Sequence, residues 1–202
     1  LLGIVGVVAL FTIGTRKFAN AVVENAKNPK IREEKAKRVL GASAVVRDLR
    51  ITTTTVCVQD VAAVVVDIEV RNLSGVRRPV TLGLACTSTV TRDNGPWNEG
   101  ESPYESGATV TPDVGRGRLS FTSPTTGAVC LQGVDAPTSS LDRRGIEVGT
   151  ELEPGGSWRV GFIVALGADE AGARSAYDWA AADVPGHVYA SEARWNRELA
   201  AV

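Results

Sequence analysis

Few residues of this chain have both the side-chain type and the spacing that catalysis or metal binding requires. His187 is the only histidine, and it lies in a turn over 184–188 between two segments of helical pattern. The sequence contains no nucleophile-elbow motif, no P-loop and no dinucleotide-binding glycine motif. The cysteines, Cys57, Cys86 and Cys130, have no partners at zinc-ligand spacing, and no pair of carboxylates stands out. We therefore expect no catalytic residue, no metal ligand and no cofactor, and hence no enzyme.

The odd number of cysteines leaves their redox state open. Three thiols permit at most one intramolecular disulfide and leave one thiol over. In an oxidising compartment a Cys86–Cys130 or a Cys57–Cys130 bridge would fit. A free buried cysteine would instead behave as a small apolar residue.

Aromatic residues among acids mark one loop, over Arg92–Ser106. Trp97 and Tyr104 lie there together with carboxylates and with Gly and Pro turn signals. Loops of this composition commonly contact carbohydrate or protein. The alternative is that the two aromatics fold back over the end of a β domain. A threonine-rich segment, Ile51–Val58, would supply hydroxyls to a sugar-binding face, so a glycan is an alternative ligand.

The N-terminal segment Leu1–Gly14 carries no charge. As a helix it would rise about 21 Å, short of the roughly 30 Å of a hydrocarbon core. We interpret it as the end of a transmembrane helix. The alternatives are the exposed helix of a pilin-like filament subunit and a buried helix or leftover signal segment. The residues expected to face lipid or other copies of the chain are Leu1, Ile4, Val7, Val8, Leu10, Phe11 and Ile13. The sequence has no Met, so we expect that a leader was removed or that further residues precede Leu1.

A basic helical stalk is expected after this helix. Thr15–Leu40 holds eight basic and three acidic residues, which leaves a net charge of −6 on the rest of the chain. The interfacial pair Arg16 and Lys17 and the basic residues after it would suit anionic lipid. Nucleic acid is not expected as a partner, because the predicted folded part has no basic patch. The positive-inside rule would place Arg16 onward in the cytoplasm, whereas we expect the β domain outside it.

Alternating hydrophobicity predicts the β domain. In Ala62–Arg71, residues Val64, Val66, Ile68 and Val70 share one face, whereas Asp67, Glu69 and Arg71 share a wet face on which Val65 is the exception. Trp158–Leu166 repeats the alternation. Ile51–Val58 and Ala62–Arg71 are expected to form a hairpin, because a short polar turn separates them.

Two C-terminal helices are expected after Gly167, over Ala168–Ala182 and Ser191–Ala201, with Val184-Pro185-Gly186 ending the first. We expect Trp179, Trp195 and Leu199 to pack onto the β domain, with packing onto a partner as the alternative. The predicted fold is mainly β, an antiparallel β-sandwich with an N-terminal hydrophobic helix and stalk (1–41), the sandwich (42–167) and a C-terminal helical segment (168–202).

Two families share strand and turn patterns with the chain. The run Val64–Val70 with Asn72-Leu73-Ser74, and later Leu152-Glu153-Pro154-Gly155-Gly156-Ser157 with its strand, resembles membrane-anchored immunoglobulin-like (telokin-like) domains of the bacterial envelope. This resemblance implies a non-enzymatic module. The segment from Leu152 through Ala171 to Trp195 is similar to the N-terminal β-sandwich of (α/α)-barrel glycoside hydrolases. Because the catalytic barrel is absent from this sequence, that similarity does not imply hydrolysis.

The sequence thus predicts a non-catalytic structural or accessory envelope protein. Its N-terminal helix would anchor it in membrane lipid or against copies of itself, and its β-sandwich would contact other envelope proteins outside the cytoplasm. The alternatives are a pilin-like subunit of an extracellular filament and a glycan-binding or vestigial carbohydrate-enzyme sandwich.

Overall fold

The computed structural model describes residues 7–9, 41–86, 88, 108–124 and 126–200. This part of the protein is mainly β. Two sheets pack face to face, and two C-terminal helices cover the outer face of the larger sheet. The predicted mainly-β fold with antiparallel sheets and two C-terminal helices is confirmed.

Short strands follow one another along most of the described chain. In order, they are β1 (Val7–Ala9), β2 (Gly41–Val46), β3 (Leu49–Cys57), β4 (Ala63–Asn72), β5 (Arg78–Ala85), β6 (Thr109–Asp113), β7 (Arg118–Thr122), β8 (Val129–Val134), β9 (Ser140–Asp142), β10 (Gly145–Leu152) and β11 (Ser157–Gly167). A short 3-10 helix, Val114–Arg116, separates β6 from β7. The larger sheet has the order β2-β3-β4-β11-β8-β7-β6, and the smaller has β1-β5-β10-β9. The expected hairpin is confirmed, because β3 and β4 are adjacent and antiparallel.

One strand comes from the segment predicted to be a hydrophobic helix. Val7, Val8 and Ala9 form β1, which runs parallel to β5 at the edge of the smaller sheet, with Val7 opposite Leu82. Strand structure suits β-branched valines. The other residues of the predicted helix, and the whole basic stalk up to Leu40, lie outside the described residues.

The first hydrophobic core fills the space between the two sheets. It receives Val66, Ile68 and Val70 of β4, as the alternation predicted, whereas Val64 on the same face is only half-buried. Opposite them lie residues of the smaller sheet such as Leu82 and Val148. This core is what makes the fold a sandwich.

A second core lies on the other face of the larger sheet, beneath the helices. Val65 and Ile163 are fully buried there, and they pack in one cluster with the helical residues Ala173 and Tyr177. The central strands β4 and β11 are therefore covered on both faces along part of their length. This explains why Val65 broke the predicted alternation, since odd-numbered and even-numbered residues are both buried in that part of β4.

The helices are α1 (Glu170–Ala182) and α2 (Val184–Ala200). Asp169 caps α1, its side chain accepting a hydrogen bond from Gly172 N at 2.8 Å. The predicted start of α2 at Ser191 is wrong. Val184-Pro185-Gly186 forms its first turn instead. Pro185 suits this position because it has no backbone N–H that would need an acceptor. The Asp183 carboxylate accepts a hydrogen bond from Gly186 N at 2.9 Å.

The second core can be tested by truncating Ile163, which is fully buried. We expect Ile163→Ala to lower the free energy of unfolding by about 2–5 kcal/mol, because it leaves a cavity under α1 and α2. Val76→Ala, at a position that is 56% exposed, should change it by less than about 0.5 kcal/mol. Urea unfolding measures both, and equal effects would contradict the three-layer packing.

Candidate functional site

The buried side chain of Asn72 joins two distant turns. Its Nδ2 donates to the carbonyl oxygens of Val76 (2.8 Å), Leu152 (3.1 Å) and Glu153 (3.2 Å). Its Oδ1 accepts from the backbone N of Ser74 at 2.9 Å and from the Ser74 hydroxyl at 2.7 Å. The asparagine therefore satisfies polar groups of both turns at once.

The backbone of Asn72 reinforces the same junction. Its N donates to Gly156 O at 2.9 Å, and its carbonyl oxygen accepts from Gly155 N at 3.1 Å. Asn72-Leu73-Ser74 and the turn Leu152–Ser157 are the two patterns that carried the sequence resemblance, and the structure shows that they touch. Asn72-Leu73-Ser74 also matches a glycosylation sequon, but Asn72 is fully buried and its amide is occupied by the fold.

A row of polar groups lies under the first turn of α2. Asp67 on β4 pairs with Gly161 on β11, and Asp135 follows β8 on the other side of Gly161. The Asp135 carboxylate accepts from Gly161 N at 2.7 Å. Gly161 has no side chain between the two carboxyls, and a Cβ there would fall 2.7 Å from Val184. Glycine at this position lets α2 approach the sheet closely.

Burial changes the acidity of both carboxyls. Asp67 was expected on a wet face, but the helices cover that face and Asp67 is only 9% exposed. Loss of hydration raises the pKa of Asp67, a shift that nearby Arg159 partly offsets and Glu69 increases. Burial also raises the pKa of Asp135, against the hydrogen bond from Gly161 N.

A buried arginine fixes α1 to the sheet. Arg118 on β7 is 3% exposed. Its guanidinium lies 3.5 Å from the Asp178 carboxylate on α1 and 3.4 Å from Asp113 on β6. It also lies 5.3 Å from the ring centre of Tyr177, whose hydroxyl donates to Val134 O at 3.2 Å. These contacts hold one side of α1 in a fixed orientation.

The opposite side of α1 is open. We define the α1 outer face as the side of this helix that faces solvent, formed by Glu170, Ala171, Arg174, Ser175, Asp178, Trp179 and Ala182. Of the two expectations for Trp179, packing onto the sandwich is wrong, because the side chain is 58% exposed. Its ring contacts that of His187 at a centroid distance of 6.2 Å, and His187 Nε2 lies 3.2 Å from Trp179 O. The indole is thus exposed but supported from one side.

The cysteines are free thiols, with Cys57 exposed and the other two buried. Burial, reinforced by the neighbouring Cys130, raises the pKa of Cys86 to about 12. Burial also raises the pKa of Cys130, whose sulfur accepts from Gln132 Nε2 at 3.7 Å. Both buried thiols therefore stay protonated at neutral pH, which makes them poor nucleophiles.

The remaining predicted site residues lie outside the described part of the chain. These are Leu1, Ile4, Leu10, Phe11 and Ile13 of the membrane or assembly helix, the interfacial pair Arg16 and Lys17, and the contact-loop aromatics Trp97 and Tyr104. Within the described part, no three side chains are grouped as a metal site would require. The same residues include no helix both long and apolar enough to span a bilayer.

Sequence reasoning missed the roles of Arg118, Tyr177 and Asp135. Arg118 opens a short strand and carries no sequence signal of burial. Tyr177 could have been found, because it shares a helical stripe with Ala173, Ala176 and Ala180, all of which are buried. Asp135 lies in a polar stretch that resembled an ordinary loop.

Comparison with known proteins gives distant likenesses to solved structures. No protein-family model and no curated protein matches the chain. Among solved structures, a polysaccharide lyase superposes with a TM-score of 0.45 at 12% identity, over 67% of this chain and 22% of the lyase. A protein described as a kojibiose phosphorylase from human microbiome gives 0.43 at 14% identity, over 74% and 20% of the two chains. Slr1438 protein from Synechocystis sp. PCC 6803 gives 0.35 at 12% identity, over 64% and 61%.

The chain matches about a fifth of the length of the lyase and of the phosphorylase. TM-scores this low do not establish a common fold, so none of the three likenesses bears on what this chain does.

The Asn72 junction predicts an asymmetric response to mutation. Asn72→Asp would place an oxygen against the carbonyls to which Nδ2 now donates, so we expect a loss of about 3 kcal/mol or more of unfolding free energy. Ser74→Ala removes a hydroxyl but keeps the amide donors, and should cost about 0.5–1.5 kcal/mol. Denaturant unfolding of both variants compares them, and a cost for Ser74→Ala as large as that for Asn72→Asp would refute the assignment.

The buried acidic row predicts a pH dependence. The pKa of Asp67 is raised in the folded state above its ordinary value of 3.8. Protonated Asp67 therefore contributes fully to the free energy of unfolding at pH values below 3.8. This contribution is lost as the pH rises through the pKa that Asp67 has in the folded protein. We expect Asp67→Asn to stabilise the protein at pH 7 and to give a smaller gain at pH 4. Urea midpoints at both pH values measure this, with exposed Glu147→Gln as the control expected to change little at either.

Proposed function

We propose that this chain is a non-catalytic structural or accessory module whose sandwich domain contacts another protein through the α1 outer face. The observation that carries the proposal is the exposed Trp179. Tryptophan is the residue type most enriched among the anchors of protein interfaces. A supported but uncovered indole on a helix is therefore the best candidate for such an anchor in the described part of the chain.

The neighbours of Trp179 favour a protein partner. Ala171, Ser175 and Ala182 are small, which allows a helix or strand of the partner to approach the α1 backbone. Glu170 and Arg174 pair with each other at 2.5 Å across one turn, and Asp178 faces Arg118. Burial of the α1 outer face would therefore desolvate charges that already have partners, which lowers the penalty of binding.

The inner side of α1 makes this surface rigid. Ala173, Ala176 and Ala180 are buried against the larger sheet, and Tyr177 is fixed by its hydrogen bond to Val134 O. A rigid helix loses little conformational entropy when a partner binds. Support for a non-catalytic role comes from the protonated buried thiols and from His187, whose Nε2 lies within hydrogen-bonding distance of a backbone carbonyl.

The proposal includes a tether and a location. The basic residues of Thr15–Leu40, together with the apolar residues on either side of β1, would hold the domain at a membrane surface or among copies of itself. Val7–Ala9 would not belong to this tether, because they pair with β5 in the smaller sheet. The domain would then work outside the cytoplasm, with other envelope proteins as partners. The sequence pattern supports the tether, whereas the location follows from the resemblance to envelope domains and runs against the positive-inside rule.

A matched pair of variants tests the α1 outer face. With a photo-cross-linking amino acid at Ser175, the full chain in its native cells should form a discrete cross-linked product with a partner protein. Trp179→Ala should reduce that product by about tenfold, as expected for loss of a central anchor. Tyr189→Ala removes an aromatic that is 75% exposed on α2 and should leave the product unchanged.

Circular dichroism and urea unfolding establish that both variants remain folded. Absence of any cross-linked product in the presence of folded protein would contradict the proposed surface. An equal reduction by Trp179→Ala and Tyr189→Ala would also contradict it, because the effect would not be specific to α1.

A further inference from the structure

Two of the three cysteines lie in the same hydrophobic core but belong to opposite sheets. Cys86 directly follows β5 of the smaller sheet, and Cys130 is the second residue of β8 in the larger sheet. Both side chains are buried in the first core, at 2% and 1% exposure. A covalent bond between them would therefore join the two sheets across that core.

The chain that leaves β5 reaches Cys130. The side chain of Ser88, two residues after Cys86, hydrogen-bonds to the sulfur of Cys130. Cys130 also raises the pKa of Cys86, which means that the two sulfurs are near enough for negative charge on one to disfavour negative charge on the other. The contact of Ser88 and the interaction of the two thiols thus both place Cys86 beside Cys130.

Cys57 does not compete for Cys130. It ends β3, and the strands β4 and β11 lie between β3 and β8 in the larger sheet. Because neighbouring strands are about 4.8 Å apart, three such intervals separate the Cα atoms of Cys57 and Cys130 by roughly 14 Å. A disulfide requires Cα atoms within about 7 Å of each other. Of the two bridges that the sequence left open, the structure therefore retains Cys86–Cys130.

We propose that Cys86 and Cys130 form a disulfide between the two sheets when the chain folds under oxidising conditions, and that Cys57 remains outside this bond. The proposal does not rest on the function assigned to the α1 outer face.

The oxidant is itself a disulfide, either a small molecule such as oxidised glutathione or the disulfide of a thiol–disulfide oxidoreductase. The thiolate of one cysteine attacks it, forms a mixed disulfide and releases the first thiol of the oxidant. The second cysteine then attacks the mixed disulfide, so that the Cys86–Cys130 bond forms and the second thiol is released. The oxidant is thereby reduced to two thiols, which carry the two protons that the cysteines lose.

Little in the core holds the two thiols in their reduced positions. The Cys86 thiol donates to Leu84 O at 3.6 Å, and the Cys130 sulfur accepts from Gln132 Nε2 at 3.7 Å. Sulfur is a weak donor and a weak acceptor. Rotation of either thiol toward the other therefore breaks no strong hydrogen bond.

The burial of both thiols determines when the bond forms. In the folded protein they are protonated and covered, whereas the attacking species must be a thiolate that the oxidant can reach. We therefore expect the bond to form during folding, before the first core closes. It would close a loop from Cys86 to Cys130 that includes the predicted contact loop Arg92–Ser106, and it would stabilise the fold by restricting the unfolded chain.

Peptide mapping of the refolded full chain tests the pairing. The chain is reduced in denaturant, refolded in a mixture of oxidised and reduced glutathione, and then alkylated in denaturant. Trypsin separates the three cysteines, because Arg71 lies between Cys57 and Cys86, and Arg92 between Cys86 and Cys130. Mass spectrometry should show a linked pair of peptides that contain Cys86 and Cys130 and that separate on reduction.

Matched variants show whether the link is specific. Cys57→Ser removes the exposed thiol and should leave the linked pair of peptides unchanged. Cys130→Ser should leave Cys86 without a link to any other peptide of the chain. A folded wild type in which Cys86 and Cys130 are not linked would overturn the proposal, as would a link from either of them to Cys57.

Urea unfolding supplies the second measurement. The oxidised wild type and the oxidised Cys57→Ser variant should each have a urea midpoint higher by about 1 M than the same protein refolded with reductant. The double variant Cys86→Ala, Cys130→Ala should have the same midpoint under both conditions. A midpoint that falls when wild type is oxidised would overturn the proposal, because the bond would then be incompatible with the packing of the first core.

Discussion

The fold depends most directly on one buried amide, that of Asn72. A buried amide must have its donors and acceptor satisfied, since each unsatisfied group costs about 1–3 kcal/mol. Asn72 meets this requirement only if the turn after β4 and the turn between β10 and β11 lie side by side, although they are separated by 80 residues in sequence. β4 and β11 belong to the larger sheet, and β5 and β10 to the smaller. The amide therefore fixes how the two sheets meet at one end of the sandwich.

The strands show how far a sequence pattern can be taken. The alternation in Ala62–Arg71 correctly identified the face that meets the other sheet. It could not reveal that the second face is also covered. That face carries Val65, Asp67 and Glu69, and a strand with these residues looks the same in sequence whether the face is covered by helices or exposed to water. Only the helices, more than a hundred residues later in the chain, decide this. The pair Val65 and Ile163 and the burial of Asp67 follow from that long-range packing.

The candidate surface was hidden for a related reason. The helical pattern placed Trp179 either against the sandwich or against a partner, and the pattern contains nothing that decides between the two. The structure places Trp179 outside the core because α1 and α2 lie very close to the sheet. A Cβ at Gly133 would clash with the Tyr177 hydroxyl and would lie 2.7 Å from Arg118 Cβ, and Gly161 leaves space for Val184. At such short separation mainly small side chains fit between α1 and the sheet, so Trp179 is left on the outside. The position of the helix axis, which sequence periodicity does not contain, decides which side chain becomes the surface feature.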